Sequence, residues 1–202
     1  MRKNPGKDKA KHSKLVDKLA EAMRNLSPQP VSAAVVTPAA AVKADQPRRT
    51  LIEFCTSEDS ELGNQSNFGD HVEVVRLTME NDLTTQEGLE FALSQVEAAA
   101  HVGQVDLWGS LPCTAGCAWW YINLKRYASA KSILAAHCRT LEVLLRHFKI
   151  VAQKVIESGG RVHYEWPKGC IRWTDQSVQS MIADLGLRTV TFDGCTLGWE
   201  GR

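Results

Sequence analysis

The sequence predicts an α/β chain with a mainly parallel sheet. Short runs of β-branched and aromatic residues alternate with helical periods long enough to carry the chain from one strand to the next. The two clearest helical periods after the third and fourth strands stop at glycine, at Gly159-Gly160 and Gly186, where a left-handed residue closes a helix at little steric cost. No segment repeats at a solenoid period. About five strands with helices on both faces make a three-layer, Rossmann-like sandwich.

The folded body is expected over residues 50–202, behind a basic arm at 1–49. Residues 1–50 carry eleven Lys/Arg against four Asp/Glu, a net of +7, and the remaining thirteen Lys/Arg against nineteen Asp/Glu leave the body at −6. An arm charged this way is expected to be largely disordered and to contact phosphate or another anionic surface. Leu15, Val16, Leu19, Met23 and Leu26 recur at helical spacing and predict a short amphipathic helix over 12–26. From Ser27 to Arg49 the chain turns to Pro, Ala and Val without an aromatic residue, which reads as an extended linker.

In the body, Leu51-Ile52-Glu53-Phe54-Cys55 is the first expected strand, and the polar stretch 56–70 is mostly loop. Val72 to Leu77 is the second strand. Thr84 or Thr85 caps a helix to about Ala100, with Leu89, Ala92, Leu93 and Val96 on one face. The third strand is 105–110, a loop covers 114–127, and a long helix fills 128–158. A fourth strand at 161–165, a helix at 174–185 and a last strand from Arg188 to Phe192 complete the series.

Six cysteines and no apolar leader predict reduced thiols and an intracellular chain, nuclear or cytoplasmic. No stretch approaches the ~20 apolar residues of a membrane span. Glycine-rich phosphate signatures are missing, which argues against a P-loop or dinucleotide site. Cys113 and Cys117 lie near His137, Cys138, His163, Cys170 and Cys195 only in imagination, because no paired CxxC spacing supports them; no metal is expected.

The candidate site is defined by the two prolines of the body. Pro112 and Pro167 each follow a predicted strand, one beside Cys113 and the other two residues beyond Glu165. Proline fixes φ, so it can aim a strand-end side chain, and ligands in open α/β sheets bind beyond such strand ends. Cys113 is thus a candidate nucleophile, with Lys125 and Arg126 as cations able to lower its pKa. Glu165, beside Trp166, is a candidate proton donor. Trp119, Trp120, Trp166 and Trp173 are expected as an aromatic rim on which a planar ligand stacks. The bland alternative makes all of these core residues, with Cys113 a small apolar side chain.

The order Ile52-Glu53-Phe54-Cys55, Leu111-Pro112-Cys113, Tyr164-Glu165-Trp166 resembles the motif series of the DNA cytosine-5 methyltransferases: acid-Leu-Phe-Cys-Gly, Pro-Cys-Gln and Glu-Asn-Val. The resemblance implies a methyltransferase-like fold that binds S-adenosylmethionine. It carries Phe54 to the aromatic on the cofactor's adenine, Asp82 to the acid of the cofactor pocket, Cys113 to the attacking thiolate and Glu165 to the acid at the base. The chain departs from the pattern at Thr56-Ser57-Glu58-Asp59-Ser60, where the family has glycines, and at Thr114 and Trp166-Pro167.

The chain is also similar to segments of dinoflagellate open reading frames found in copia-like retroelements. That likeness rests on Glu53-Phe54-Cys55 with Ser60-Glu61-Leu62-Gly63, Val75-Arg76-Leu77-Thr78, Ser110-Leu111-Pro112-Cys113-Thr114, Glu165-Trp166-Pro167 and Asp193-Gly194-Cys195. It implies a retroelement-related origin and no particular reaction. An active domain of this size would act on single-stranded nucleic acid or RNA, because duplex chemistry needs a surface to hold the helix while a base is flipped. The rival expectation is a non-catalytic nucleic-acid- or protein-binding module that contacts its partner through the basic arm.

Overall fold

The computed structural model describes residues 48–64, 66, 68, 71–117 and 119–191. Four strands form one sheet: β1 Arg49–Phe54, β2 Val72–Leu77, β3 Gln104–Gly109 and β4 Arg161–Tyr164. All pair in parallel, in the order β2-β1-β3-β4. Among the described residues four α-helices accompany them: α1 Gln86–Val102, α2 Trp119–Arg126, α3 Ala130–Glu157 and α4 Gln176–Asp184. The Rossmann-like α/β class expected from the sequence is the one observed. The arm, including the expected helix at 12–26, lies outside the described residues except for Arg48 and Arg49.

The first strand reaches back into the last residue assigned to the arm. Arg49 opens β1, in register with Val72 on one side and Gln104 on the other. Its guanidinium pairs with the buried carboxylate of Asp106 on β3, through Nη2 and through Nε at 3.1 Å. A buried carboxylate is tolerated when a charge-assisted pair of this kind meets it.

Strand alternation divides the sheet into two unlike faces. Ile52, Phe54, Val105 and Leu107 point to the face on which α1 and α3 pack together, with Ala92, Val96, Phe148, Val151 and Val155. Burying side chains of this size stabilises the fold by roughly 1.5–3 kcal/mol each. Leu51, Val72, Val74 and Trp108 point to the opposite face and meet Leu62 and Phe68 from the β1–β2 connection. That irregular segment, rather than a helix, supplies the described covering of the second face.

Glu53 holds this covering down. The residue is buried, the Ser60 hydroxyl donates to its Oε1, and Arg76 Nε lies 3.4 Å from Oε2. Arg76 in turn donates to the Gly63 carbonyl at 2.6 Å. A Cβ on Gly63 would stand 2.0 Å from the Glu53 carboxylate, so only glycine lets the backbone lie this close. Burial pushes the Glu53 carboxyl above its ordinary value, and Ser60, the Arg76 charge and the Gly63 N–H pull it back.

Two expectations are corrected. The stretch 114–127 is not a loop: Cys113–Gly116 forms a 3-10 turn and Trp119–Arg126 forms α2. The segment 188–191 has no regular structure, and its residues, Val190 among them, are exposed. With no apolar side to bury against β4, nothing offsets the entropy of ordering it as an edge strand; Phe192 lies outside the described residues. The other elements match to within two residues. The helix α1 starts on Thr85, whose hydroxyl accepts from the Gly88 N–H at 3.0 Å. Gly159 and Gly186 follow α3 and α4 with φ of +79° and +62°.

Gly109 shows how tightly the helical face is packed. A Cβ there would fall 2.4 Å from Phe148, whose buried ring is wedged between Phe54 and Tyr164. Gly109→Ala is expected to destabilise by about 1–3 kcal/mol, as overpacking does. Urea unfolding should give a lower midpoint with an unchanged slope.

Candidate functional site

β1 lies between β2 and β3, so the chain leaves it in one direction and later returns on its other side. The reversal falls between β1 and β3, and the position beyond the carboxyl ends of such a pair is where open α/β sheets take ligands. The four residues that the motif resemblance marks fall at or beyond this edge: Phe54 ends β1, Asp82 follows β2, Cys113 follows β3 and Glu165 follows β4.

Backbone bonds continue the ladder one step past the strands. Ser110 N donates to Phe54 O at 3.1 Å, and Glu165 N to Gly109 O at 3.0 Å. Alternation then sets Ser110 and Glu165 on the face of Trp108 and His163. There the Trp108 indole donates to the Ser110 hydroxyl at 2.9 Å, and Ser110 hydrogen-bonds the Glu165 carboxylate. His163 stacks on Trp108 at 5.6 Å, and burial pushes its pKa down. Burial raises the Glu165 carboxyl, although much of the residue is exposed, and Ser110 opposes the rise.

Cys113 has other neighbours. It lies half-buried in the 3-10 turn against the core of the helical face. The same turn meets the buried Cys170: a Cβ on Gly116 would stand 2.4 Å from the Cys170 sulfur. Cys170 is raised by burial first and by the nearby Cys113 among its lesser causes. Thiol and carboxyl therefore reach one sheet edge but sit in different company, Cys113 beside Cys170 and Glu165 beside Ser110.

Phe54 is fully buried with its ring edge-on to Phe148 at 5.4 Å, so it presents no face to a ligand. The Cys55 backbone after it adopts φ +63°, and burial pushes its thiol up to about 12. Asp82 is exposed in a left-handed conformation, its Oδ1 accepting from the Thr84 hydroxyl at 2.6 Å. The carbonyl of the next residue, Leu83, meets His147 Nδ1 of α3 at 2.9 Å and fixes this turn to the body.

The expected aromatic rim is mostly a packed cluster. Tyr164, Trp166 and Trp173 meet edge-on with centroids 5.1–5.8 Å apart. Trp166 is buried, and its indole donates to the Leu111 carbonyl at 2.7 Å, tying the β3 and β4 loops together. The Tyr164 hydroxyl is buried with no hydrogen-bond partner, and burial raises its pKa strongly. Trp120 lies over His137 at 5.7 Å, whereas Trp119 is 69% exposed.

Lys125 and Arg126, expected as cations for Cys113, are exposed in the last turn of α2. The cation held against a thiol is Arg172, which donates to Cys138 Sγ at 2.7 Å, to the Ala115 carbonyl at 3.1 Å and to Asp175 at 2.9 Å. The sequence analysis missed Arg172, Trp108 and Ser110, and weighed His163 only as a metal ligand. Strand alternation from Glu165 backwards finds His163, and registers with β3 then find Trp108. Nothing local marks Arg172.

Among the described residues, no group of three His, Cys, Asp or Glu side chains is arranged to hold a metal, and no helix is long and apolar enough to cross a membrane. No protein-family model, curated protein or solved structure matches the chain.

Trp166→Phe is expected to cost about 1–3 kcal/mol, because the Leu111 carbonyl is left buried without a donor; the chemical-denaturation midpoint measures it. Ser110→Ala removes the bond that lowers the Glu165 pKa, so a carbon-13 carboxyl titration should move further upward. The raised value means that the native carboxyl holds a proton the unfolded one releases. Its contribution to stability is full below the ordinary carboxylate pKa and is lost as pH rises through the folded value.

Proposed function

We propose that the chain is a nucleic-acid-binding module on a Rossmann-like scaffold, with a sheet edge that is a degenerate counterpart of the cytosine-5 methyltransferase site. One observation carries the reading: Cys113 and Glu165 have different neighbours, one on the helical core and the other on the Ser110 side. Addition to a pyrimidine needs thiolate and acid converging on one base. The S-adenosylmethionine pocket that the resemblance implies is also poorly matched. Phe54 is spent on Phe148, and Thr56 to Ser60 follow β1 where glycines would let a ligand approach the backbone.

Charge supports the positive half of the reading. The net of +7 over residues 1–50, set against −6 in the rest, is the footprint of contact with a polyanion. Binding of this kind weakens steeply with salt because phosphate neutralisation releases counterions.

Three measurements test the proposal together. Labelled oligonucleotides should bind the full chain with a negative salt slope. Millimolar S-adenosylmethionine or its demethylated product should leave the thermal unfolding midpoint unchanged. A 5-fluorocytosine oligonucleotide incubated with the chain and S-adenosylmethionine should form no covalent adduct. Cofactor-induced stabilisation with an adduct that Cys113→Ala abolishes would restore the methyltransferase reading, and no nucleic-acid binding at low salt would remove the module.

A further inference from the structure

From Leu107 to Leu141 the sequence contains no Asp or Glu, although the body as a whole is acidic; Lys125, Arg126, Lys131 and Arg139 are its cations. This stretch leaves the carboxyl edge through the Cys113 turn, forms α2, and continues into α3. The helix α2 packs on α3, with Trp120 over His137. In α3 the buried residues other than Ala130 begin only at Leu141, and between them Lys131, Ile133, Ala135, Ala136, His137 and Arg139 are exposed. Apart from the buried Ala130 and from Cys138, which packs against the core and accepts from Arg172, the stretch 119–140 lies outside the core, and its four cations are all exposed.

Its exposed apolar residues fall into two kinds. Trp119 and Tyr127 are 69% and 59% exposed, whereas Ile122, Leu124 and Ile133 are 40–46% exposed. The aromatic rings are thus more than half open, and the aliphatic side chains are more than half covered. Open rings among cations, with no carboxylate nearby in the chain, are what a nucleic-acid strand with unpaired bases requires: phosphates meet the cations and bases stack on the rings. A lipid surface would take in the aliphatic side chains of such a helix along with its aromatics, and here Ile122, Leu124 and Ile133 are more than half covered. A duplex keeps its bases stacked on one another and would leave both rings idle.

We propose that α2 and the amino-terminal turns of α3 form a docking surface for single-stranded nucleic acid, with Trp119 and Tyr127 as stacking platforms and Lys125, Arg126, Lys131 and Arg139 as phosphate contacts. The inference rests on the nucleic-acid-binding reading and deepens it by naming the surface and the form of the ligand. The arm is basic as well, so charge disfavours it as the occupant of this surface.

The test uses the full chain and fluorescence anisotropy with labelled single-stranded RNA, single-stranded DNA and duplex DNA of mixed sequence, alongside sedimentation with phosphatidylcholine vesicles containing phosphatidylserine. Single strands should bind more tightly than duplex. Trp119→Ala should weaken single-strand binding roughly tenfold, within the range for one base stack, while Trp119→Phe keeps most of it. Lys125→Ala with Arg126→Ala should reduce the salt slope by about 1.4, two phosphates' worth on a single strand. Circular dichroism and unfolding midpoints should match the parent, because the substituted side chains are exposed. Binding that is equal on duplex and indifferent to Trp119 overturns this inference alone and returns binding to the arm. Vesicle binding that depends on Trp119, without single-strand binding, overturns it in favour of a lipid surface. No binding to any nucleic acid overturns it together with the reading beneath it.

Discussion

The place of β1 between β2 and β3 is the constraint from which the rest of the structure follows. Parallel neighbours on both sides force every connection to cross a face of the sheet. The two connections containing α1 and α3 take one face and bury Ile52 and Phe54. The connection from β1 to β2 has no helix among the described residues, yet it must cross the other face. Apolar contact through Leu62 and Phe68 covers only part of that face, and the buried Glu53 does the remainder by gathering Ser60, Gly63 and Arg76. The acid is thus a fastener for a loop. Desolvation makes it an expensive one, which is why its partners converge from both the loop and β2.

The same constraint explains why the candidate residues reach one edge without forming one site. Parallel strands deliver their ends together, so a residue just past each strand lies at the carboxyl edge. Which side it faces depends on parity for as long as the ladder continues. Ser110 and Glu165 still obey the ladder, through bonds to Phe54 and Gly109, and fall on the Trp108 face. Cys113 lies three residues further on, after Leu111 and Pro112, in a 3-10 turn whose direction is set by close packing of Gly116 on Cys170. The ladder no longer governs it, and the core does.

This marks where sequence reasoning succeeds and stops. Periods of two and 3.6, capping threonines and terminal glycines are local signals, and β2, α1, α3 and α4 were legible through them. The helix α2 was not, because Trp119, Ile122 and Leu124 remain partly exposed and leave no wholly apolar stripe to read. Residues 188–191 carried β-branched side chains but had no partner surface, and propensity without burial does not make a strand. At the site, the edge was legible and the environment was not. Phe54 was a candidate only through the motif resemblance, yet Phe148, 94 residues along, packs edge-on against it. Arg172 was illegible for the same reason: its partners Ala115 and Cys138 belong to other elements.

Length accounts for the exposed stretch at the start of α3. Twenty-eight helical residues extend about 42 Å at 1.5 Å each, whereas a six-residue strand spans about 20 Å. A helix lying along the sheet therefore has a surplus of roughly half its length. The helix runs back from the carboxyl edge to the start of β4, so the surplus can emerge at either end. Burial from Leu141 onward to Val155 fixes the carboxyl-terminal half on the sheet and leaves the surplus above the carboxyl edge. Because α2 packs on the amino-terminal half of α3, the acid-free stretch and its open aromatics lie toward the carboxyl edge of the sheet. An element too long for its sheet thus gives a small domain a cationic, aromatic surface beside its carboxyl edge without adding a second domain.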